Sequence, residues 1–158
     1  MMSFKTLIAD DHPIFLEGLK CILKQKAFSF LEVVDTATNG LEAYQKAKQH
    51  NPKLLLIDMN MPEMDGPEVI KRLKKEGLNL RVLVLSMYDQ PKLVRTAFQA
   101  GADAYLLKNK APAELQKAIS AIRNKETFFG CGVHLNENSR RKRFGRAGGF
   151  DRSDRYVS

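Results

Sequence analysis

Five polar residues sit at or just after the ends of short apolar runs. Asp10 and Asp11 follow FKTLIA, Asp58 closes LLLID, Ser86 closes RVLVLS and Lys108 closes ADAYLLK. Three carboxylates brought close together repel strongly unless a cation joins them. The set offers oxygen without Cys or His, so it suits a hard ion such as Mg²⁺ better than zinc. A Lys and a small hydroxyl beside that ion complete a site for a phosphoryl group: the cation, the ammonium and the hydroxyl would each meet one of its oxygens. A carboxylate is itself a competent phosphoryl acceptor, forming an acyl phosphate. Taken singly, each residue has a plainer role. An acidic pair at a strand end is usually a solvated loop, Lys108 a surface charge, Ser86 a turn hydroxyl and Tyr105 a half-buried strand aromatic. The signal is the ordered recurrence of all of them after successive apolar runs.

The elements that must position these groups are legible in the apolar spacing. Residues 4–9 read as a strand, and Leu16, Leu19 and Leu23, widened by Phe15 and Ile22, give a helix after Pro13. Residues 30–37 read as a second strand. Asn39-Gly40 opens a helix with Glu42 placed as in a capping box, and Leu41, Tyr44 and Ala47 are expected to form its buried face. Residues 54–58 form a continuous apolar run, as in a central parallel strand. Gly66-Pro67 starts a third helix, with Val69, Ile70 and Leu73 inward. Residues 81–86 are a fourth strand. Val94, Ala97 and Phe98 mark a helix closed by Gly101. Residues 102–108 are a fifth strand, and Leu115, Ala118, Ile119 and Ile122 mark a last helix beginning near Pro112. Five strands alternating with five helices imply an α/β, doubly wound (βα)5 parallel sheet. Ligands of such sheets bind at the carboxyl ends of the strands, where the strand order reverses.

Composition narrows the class. The 158 residues fit one domain with a short extension, and 44% hydrophobic residues suffice for a core. No apolar run is long enough to span a membrane, and MMSFKTLIADDHP reaches carboxylates too soon for a secretory signal. Cys21 and Cys131 lack metal or CxxC spacing, which implies a reduced, cytoplasmic protein without structural disulfides. His12, His50 and His134 are scattered and make no zinc pattern. Half of the formal +8 charge falls after residue 130, mostly in Arg140, Arg141, Lys142, Arg143 and Arg146. Residues 1–130 are therefore read as the folded domain and 131–158 as a flexible basic linker or disordered tail. The run SRRKRFGR could touch DNA phosphates without sequence readout.

The blocks IADDHPIFLEGL, IDMNMPEMDGPEVI, VLVLSMY and AGADAYLLK, in this order, resemble the response-regulator receiver family of two-component signalling. The HP after the acidic pair and the GADAYLLK block look most like its LuxR/NarL class. The resemblance covers roughly residues 4–125. It implies a flavodoxin/CheY-like sheet of strand order 2-1-3-4-5 and a domain that accepts a phosphoryl group from a sensor histidine kinase on Asp58. Asp11, Asp58 and the backbone carbonyl of Asn60 would bind Mg²⁺ directly, and Asp10 through water. Lys108 and Ser86 would contact the phosphoryl group, and Ser86 with an inward-rotating Tyr105 would form the switch. Pro62, Asp65 and Gly66 would shape the loop after Asp58, while Asn60, Met87 and Tyr88 would tune the site. The family's members usually add a C-terminal helix-turn-helix, so DNA would be met only through a domain absent from this chain, with homodimerisation on phosphorylation. The resemblance implies a stoichiometric phosphoacceptor and not a turnover enzyme. Aspartyl phosphotransferases on related sheets carry an Asp two residues after the nucleophile, where this chain has Asn60. Two departures stand out: Asn109 replaces the proline common after the site lysine, and Ala111 stands where a Ser or Asp cap would be usual.

Overall fold

The computed structural model describes residues 3–130, 132 and 133. The expected tail, with its basic run, Cys131 and His134, lies outside the described residues apart from positions 132 and 133. The chain runs β1 (Phe4–Ala9), α1 (Pro13–Leu23), β2 (Leu31–Ala37), α2 (Gly40–His50), β3 (Leu54–Asp58), α3 (Gly66–Lys75), β4 (Arg81–Ser86), α4 (Pro91–Ala100), β5 (Ala104–Leu107), α5 (Ala111–Arg123) and β6 (Phe128–Phe129). Short 3₁₀ turns occupy Lys26–Phe28 and Lys108–Lys110. All strand pairs are parallel, in the order β2-β1-β3-β4-β5-β6.

Strand alternation divides the core into two layers. Leu7, Leu55, Ile57, Val82, Val84 and Tyr105 pack on one face with α2, α3 and α4. Ile8, Leu54, Leu56, Leu83, Leu85 and Leu106 pack on the other with α1 and α5. Because both faces are covered, β3 and β4 are apolar at almost every position, as their uninterrupted runs imply.

The expected order 2-1-3-4-5 is present, and a sixth strand extends it. Phe128 and Phe129 pair with Ala104 and Tyr105. The Gly130 amide then donates to the Tyr105 carbonyl at 2.9 Å, and Val133 is buried in the same core layer as Phe129. Two residues are too few to show a period, so nothing in the apolar pattern announced this strand.

Three local expectations are corrected. The buried face of α2 is made by Gly40, Ala43 and Ala47, while Leu41 is exposed and Tyr44 only half-buried. Small residues let α2 approach the sheet closely, and the bulk of Leu41 misdirects the sequence reading. The α2 capping box is only half closed. The Asn39 side chain accepts from the Glu42 amide at 2.7 Å, but the Glu42 carboxylate reaches back to the Thr38 amide instead. Finally, Ala111 is not the cap of α5. It is the first helical residue and is buried, while Lys110 precedes it with no side-chain cap bond.

Candidate functional site

β1 is central, with β2 on one side and β3 on the other, so the chain reverses direction across the sheet at this point. The carboxyl ends of β1 and β3 therefore border a crevice, and Asp10, Asp11 and Asp58 meet there. One oxygen from each, together with His12 Nδ1, lies within 4.8 Å of the others. Lys108, carried by the turn after β5, closes the cluster. Its Nζ lies 2.7 Å from Asp10 Oδ2 and 3.3 Å from Asp58 Oδ2. The ammonium also lies 4.7 Å from the centre of the Phe15 ring, which shields its inner side.

Burial pushes the Asp58 carboxyl above the ordinary carboxylate range. The Lys108 ammonium opposes that rise, and the charge of Asp10 adds to it. Asp58 is thus an anion held against its preference. Asp11 Oδ1 is buried without a hydrogen-bond partner. His12 Nδ1 comes within 3.3 Å of it but makes no hydrogen bond to it. A buried carboxylate oxygen left unpartnered beside two further carboxylates fits a hard cation such as Mg²⁺.

His12 is the group the sequence reading set aside. Its Nδ1 is 3.0 Å from Asp10 Oδ1, 3.6 Å from Asp58 Oδ2 and 3.1 Å from Lys108 Nζ. One nitrogen cannot both donate to carboxylates and accept from an ammonium. Its adjacency to the acidic pair was the available signal, but a search for zinc spacing overlooks it.

The loop after Asp58 is fixed by backbone contacts. The Gly66 amide donates to the Met59 carbonyl at 2.9 Å, the Gly40 amide to the Pro62 carbonyl at 3.1 Å and the Met64 amide to the same Pro62 carbonyl at 2.8 Å. A Cβ on Gly66 would fall 2.4 Å from the Asp58 carbonyl oxygen, and one on Gly40 only 1.5 Å from that of Met64. Both glycines are required by close approach to this loop. Asp65 caps α3 by accepting from the Glu68 amide at 2.9 Å. Asn60 and Pro62 are exposed, and the Asn60 amide lies 3.4 Å from Asp58 Oδ1.

Ser86 is fully buried at the end of β4, and its Oγ accepts from the Tyr88 amide at 3.1 Å. Tyr105 is fully buried on β5 and donates its hydroxyl to the Tyr88 carbonyl at 2.7 Å. Residue 88 thus joins the two, and Tyr105 occupies the inward arrangement. Burial raises the Tyr105 phenol above its ordinary value, and a hydrogen bond with Ser86 pulls against that rise. Met87 and the Tyr88 side chain are exposed beside them.

The family model of the response regulator receiver domain matches residues 6–120. The chain is 33% identical over 131 residues to the transcriptional regulatory protein MctR of Rhizobium johnstonii, covering 83% of this chain and 60% of that protein. It is 37% identical over 113 residues to the nitrate/nitrite response regulator protein NarL of Escherichia coli, covering 72% and 51%. Its fold is similar to the signal receiver domain of NarL from Mycobacterium tuberculosis, with TM-score 0.73 and 34% identity over 78% of this chain and 98% of that one. The isolated receiver domain of RcsB from Salmonella enterica, solved with the phosphomimetic BeF₃⁻, gives TM-score 0.75 at 28% identity, covering 83% and 96%. The chain spans about half to three fifths of the length of these curated relatives. Sequence, sheet order and the acidic crevice agree, and the chain belongs to the response regulator receiver family.

Proposed function

We propose that Asp58 accepts a phosphoryl group from the phosphohistidine of a sensor histidine kinase, and that the resulting change of surface controls a transcriptional output domain. A single observation carries this reading: a buried, cation-paired Asp58 carboxylate beside an unpartnered Asp11 oxygen. An Asp58 oxygen attacks phosphorus, the phosphorus–nitrogen bond of the donor breaks, and the imidazole leaves with the electron pair. Asp11, Asp58 and the Asn60 carbonyl would hold Mg²⁺, with Asp10 acting through water; the ion, when bound, would screen the carboxylates from the incoming anion. Lys108 orients the Asp58 carboxylate and neutralises charge on a phosphoryl oxygen. Ser86 donates its hydroxyl to another of these oxygens, while its lone pairs still accept from the Tyr88 amide. Tyr105 then holds the 87–90 loop inward through the Tyr88 carbonyl.

Asn60 stands where a carboxyl general acid would be needed for turnover, so Asp58 serves as a stoichiometric acceptor. A cytoplasmic location belongs to the same reading, and no helix among the described residues is long and apolar enough to cross a membrane. Homodimerisation on phosphorylation, and DNA contact through an output domain, belong to the same reading. The solved RcsB dimers bound to DNA support it by analogy. The test is to add Mg²⁺ with beryllofluoride or a small phosphodonor to the protein and to Asp58→Asn. A stoichiometric conformational change that requires Asp58 supports the acceptor. Steady hydrolysis of a phosphoester, or an equal response from Asp58→Asn, overturns it.

A further inference from the structure

The opposite end of the sheet, where the strands begin, carries a second concentration of charge. A cleft of about 210 Å³ opens there, and four cations line it: Lys53, Arg81, Arg123 and Lys125. No carboxylate of the described residues lines it. Asn79 supplies an amide, and Phe4 with Ile122 complete the wall. None of the four cations forms an ion pair among the described residues. The acids nearest in sequence lie outside this lining. The Asp103 carboxylate accepts from the Val82 amide at 2.9 Å, and Glu126 lines a separate groove beside α5.

The cations are also pre-positioned. The Lys53 amide donates to the Lys5 carbonyl at 2.9 Å and the Arg81 amide to the Lys53 carbonyl at 2.8 Å, which sets the first residues of adjacent strands side by side. The Arg123 guanidinium stacks over the Phe30 ring at 4.1 Å, which orders it while leaving its N–H donors uncommitted. Lys125 is the most informative. α5 ends in a Schellman motif, with the Glu126 amide donating to Ala121 and the Lys125 amide to Ile122. The left-handed position of that motif suits glycine, yet Lys125 holds it at φ 62°. A lysine kept at a strained backbone position on the rim of a cationic cleft implies use of its charge.

A second cleft of about 420 Å³ adjoins the first and shares Lys53 and Asn79 with it. Asn51, Pro52, Gly77 and Leu78 line the remainder, with no further charge. We infer that this end of the sheet binds a small ligand bearing a diphosphate or longer phosphate chain, its phosphates in the cationic cleft and any uncharged moiety over the neighbouring one. A concave site lined by four cations and no aromatic stacking row suits a compact polyanion better than a nucleic-acid strand. This inference is independent of the chemistry at Asp58, which lies at the other end of the strands.

The test titrates pyrophosphate and ADP into the protein in EDTA, following backbone amide resonances. EDTA keeps cations out of the acidic crevice, whose carboxylates then repel the anions. Saturable shifts at Lys53, Arg81 and Lys125, with Lys108 unmoved, are expected for both probes. Arg81→Gln should weaken binding about tenfold, the loss of one charge-assisted contact. Lys125→Gly should weaken it similarly while holding or raising Tm, because glycine fits the backbone there. A purely structural lysine would show the gain in Tm without the loss of affinity. Absence of saturable binding at millimolar pyrophosphate overturns the inference. So does affinity unchanged by both variants, or binding of duplex DNA at this face that pyrophosphate fails to displace.

Discussion

Lys108 Nζ lies 3.3 Å from Asp58 Oδ2 and 2.7 Å from Asp10 Oδ2, with all three side chains at least 95% buried. The lysine therefore does two things at once: it bridges a buried carboxylate pair and places a positive charge beside the acceptor oxygen. Replacing it with methionine keeps the stem and leaves the carboxylates uncompensated. Breaking such a pair costs about 3 kcal/mol. Lys108→Met is expected to unfold at lower urea in metal-free buffer and to recover part of that loss when Mg²⁺ is added. An unchanged urea midpoint would show that solvent, not Lys108, holds these charges apart.

Asp58 gives the opposite sign. Its folded pKa is raised, chiefly by burial, so the fold prefers the protonated form. Stability contributed by that preference is present below the unfolded carboxylate value of 3.8 and is lost as pH rises through the raised folded value. Asp58→Asn, which deletes the charge, is expected to raise Tm at pH 7 and to flatten the decline of stability with pH on the acidic side. A lower Tm for Asp58→Asn would mean that the Lys108 attraction outweighs desolvation.

The same residues show where sequence reasoning reached and where it stopped. β3 and β4 were legible because burial on both faces forces uninterrupted apolar runs, and a charged or hydroxyl residue closing such a run announces a sheet edge. Asp10, Asp11, Asp58, Ser86 and Lys108 were found in this way. Contacts that depend on one backbone passing close to another were hidden. Gly40 read only as the opening of a helix, and nothing local to it reveals the Met64 carbonyl packed against it. Leu41 was assigned inward because bulk is easily mistaken for burial, whereas α2 buries Ala43 and Ala47. His12 counted only in the HP dipeptide that marks the class, and it acquires its place in the site only when β3 and β5 bring Asp58 and Lys108 beside it.

Gly40 makes that point testable. An added Cβ would sit 1.5 Å from the Met64 carbonyl oxygen, and backbone on both sides leaves no flexible side chain to yield. Gly40→Ala is expected to cost about 3 kcal/mol, in the range of other severe steric insertions into a packed region. The protein should also bind Mg²⁺ more weakly, since the displaced loop carries Asn60. Gly18, which has open space around it, serves as the control, and Gly18→Ala in α1 should hold or raise Tm. Equal effects from both alanines would dismiss the packing argument.

His12 stands within 3.6 Å of all three carboxylates, so its imidazole occupies space where a metal ion would bind. Its side chain is 57% exposed and able to move aside. His12→Ala removes that competitor and is expected to tighten Mg²⁺ several-fold in a calorimetric titration. Weaker Mg²⁺ binding by the alanine variant would identify the imidazole as a ligand instead.

Tyr105 offers the most selective probe of the switch. Its hydroxyl holds the Tyr88 carbonyl while the Tyr88 amide donates to Ser86, so one phenol fixes the loop hydrogen-bonded to the hydroxyl that would meet a phosphoryl group. Tyr105→Phe preserves the buried ring and deletes this bond, at a cost of about 1 kcal/mol. The loss should be local. Amide exchange is expected to accelerate at Tyr88 and Asp89, while β4 and β5 keep their protection. Freed from that anchor, the loop should lose most of its response to beryllofluoride even though Asp58, Lys108 and the acidic pair remain intact. If Tyr105→Phe responds as fully as the parent protein, with the same exchange at Tyr88, the link between the phosphoacceptor and the outer surface runs through Ser86 alone.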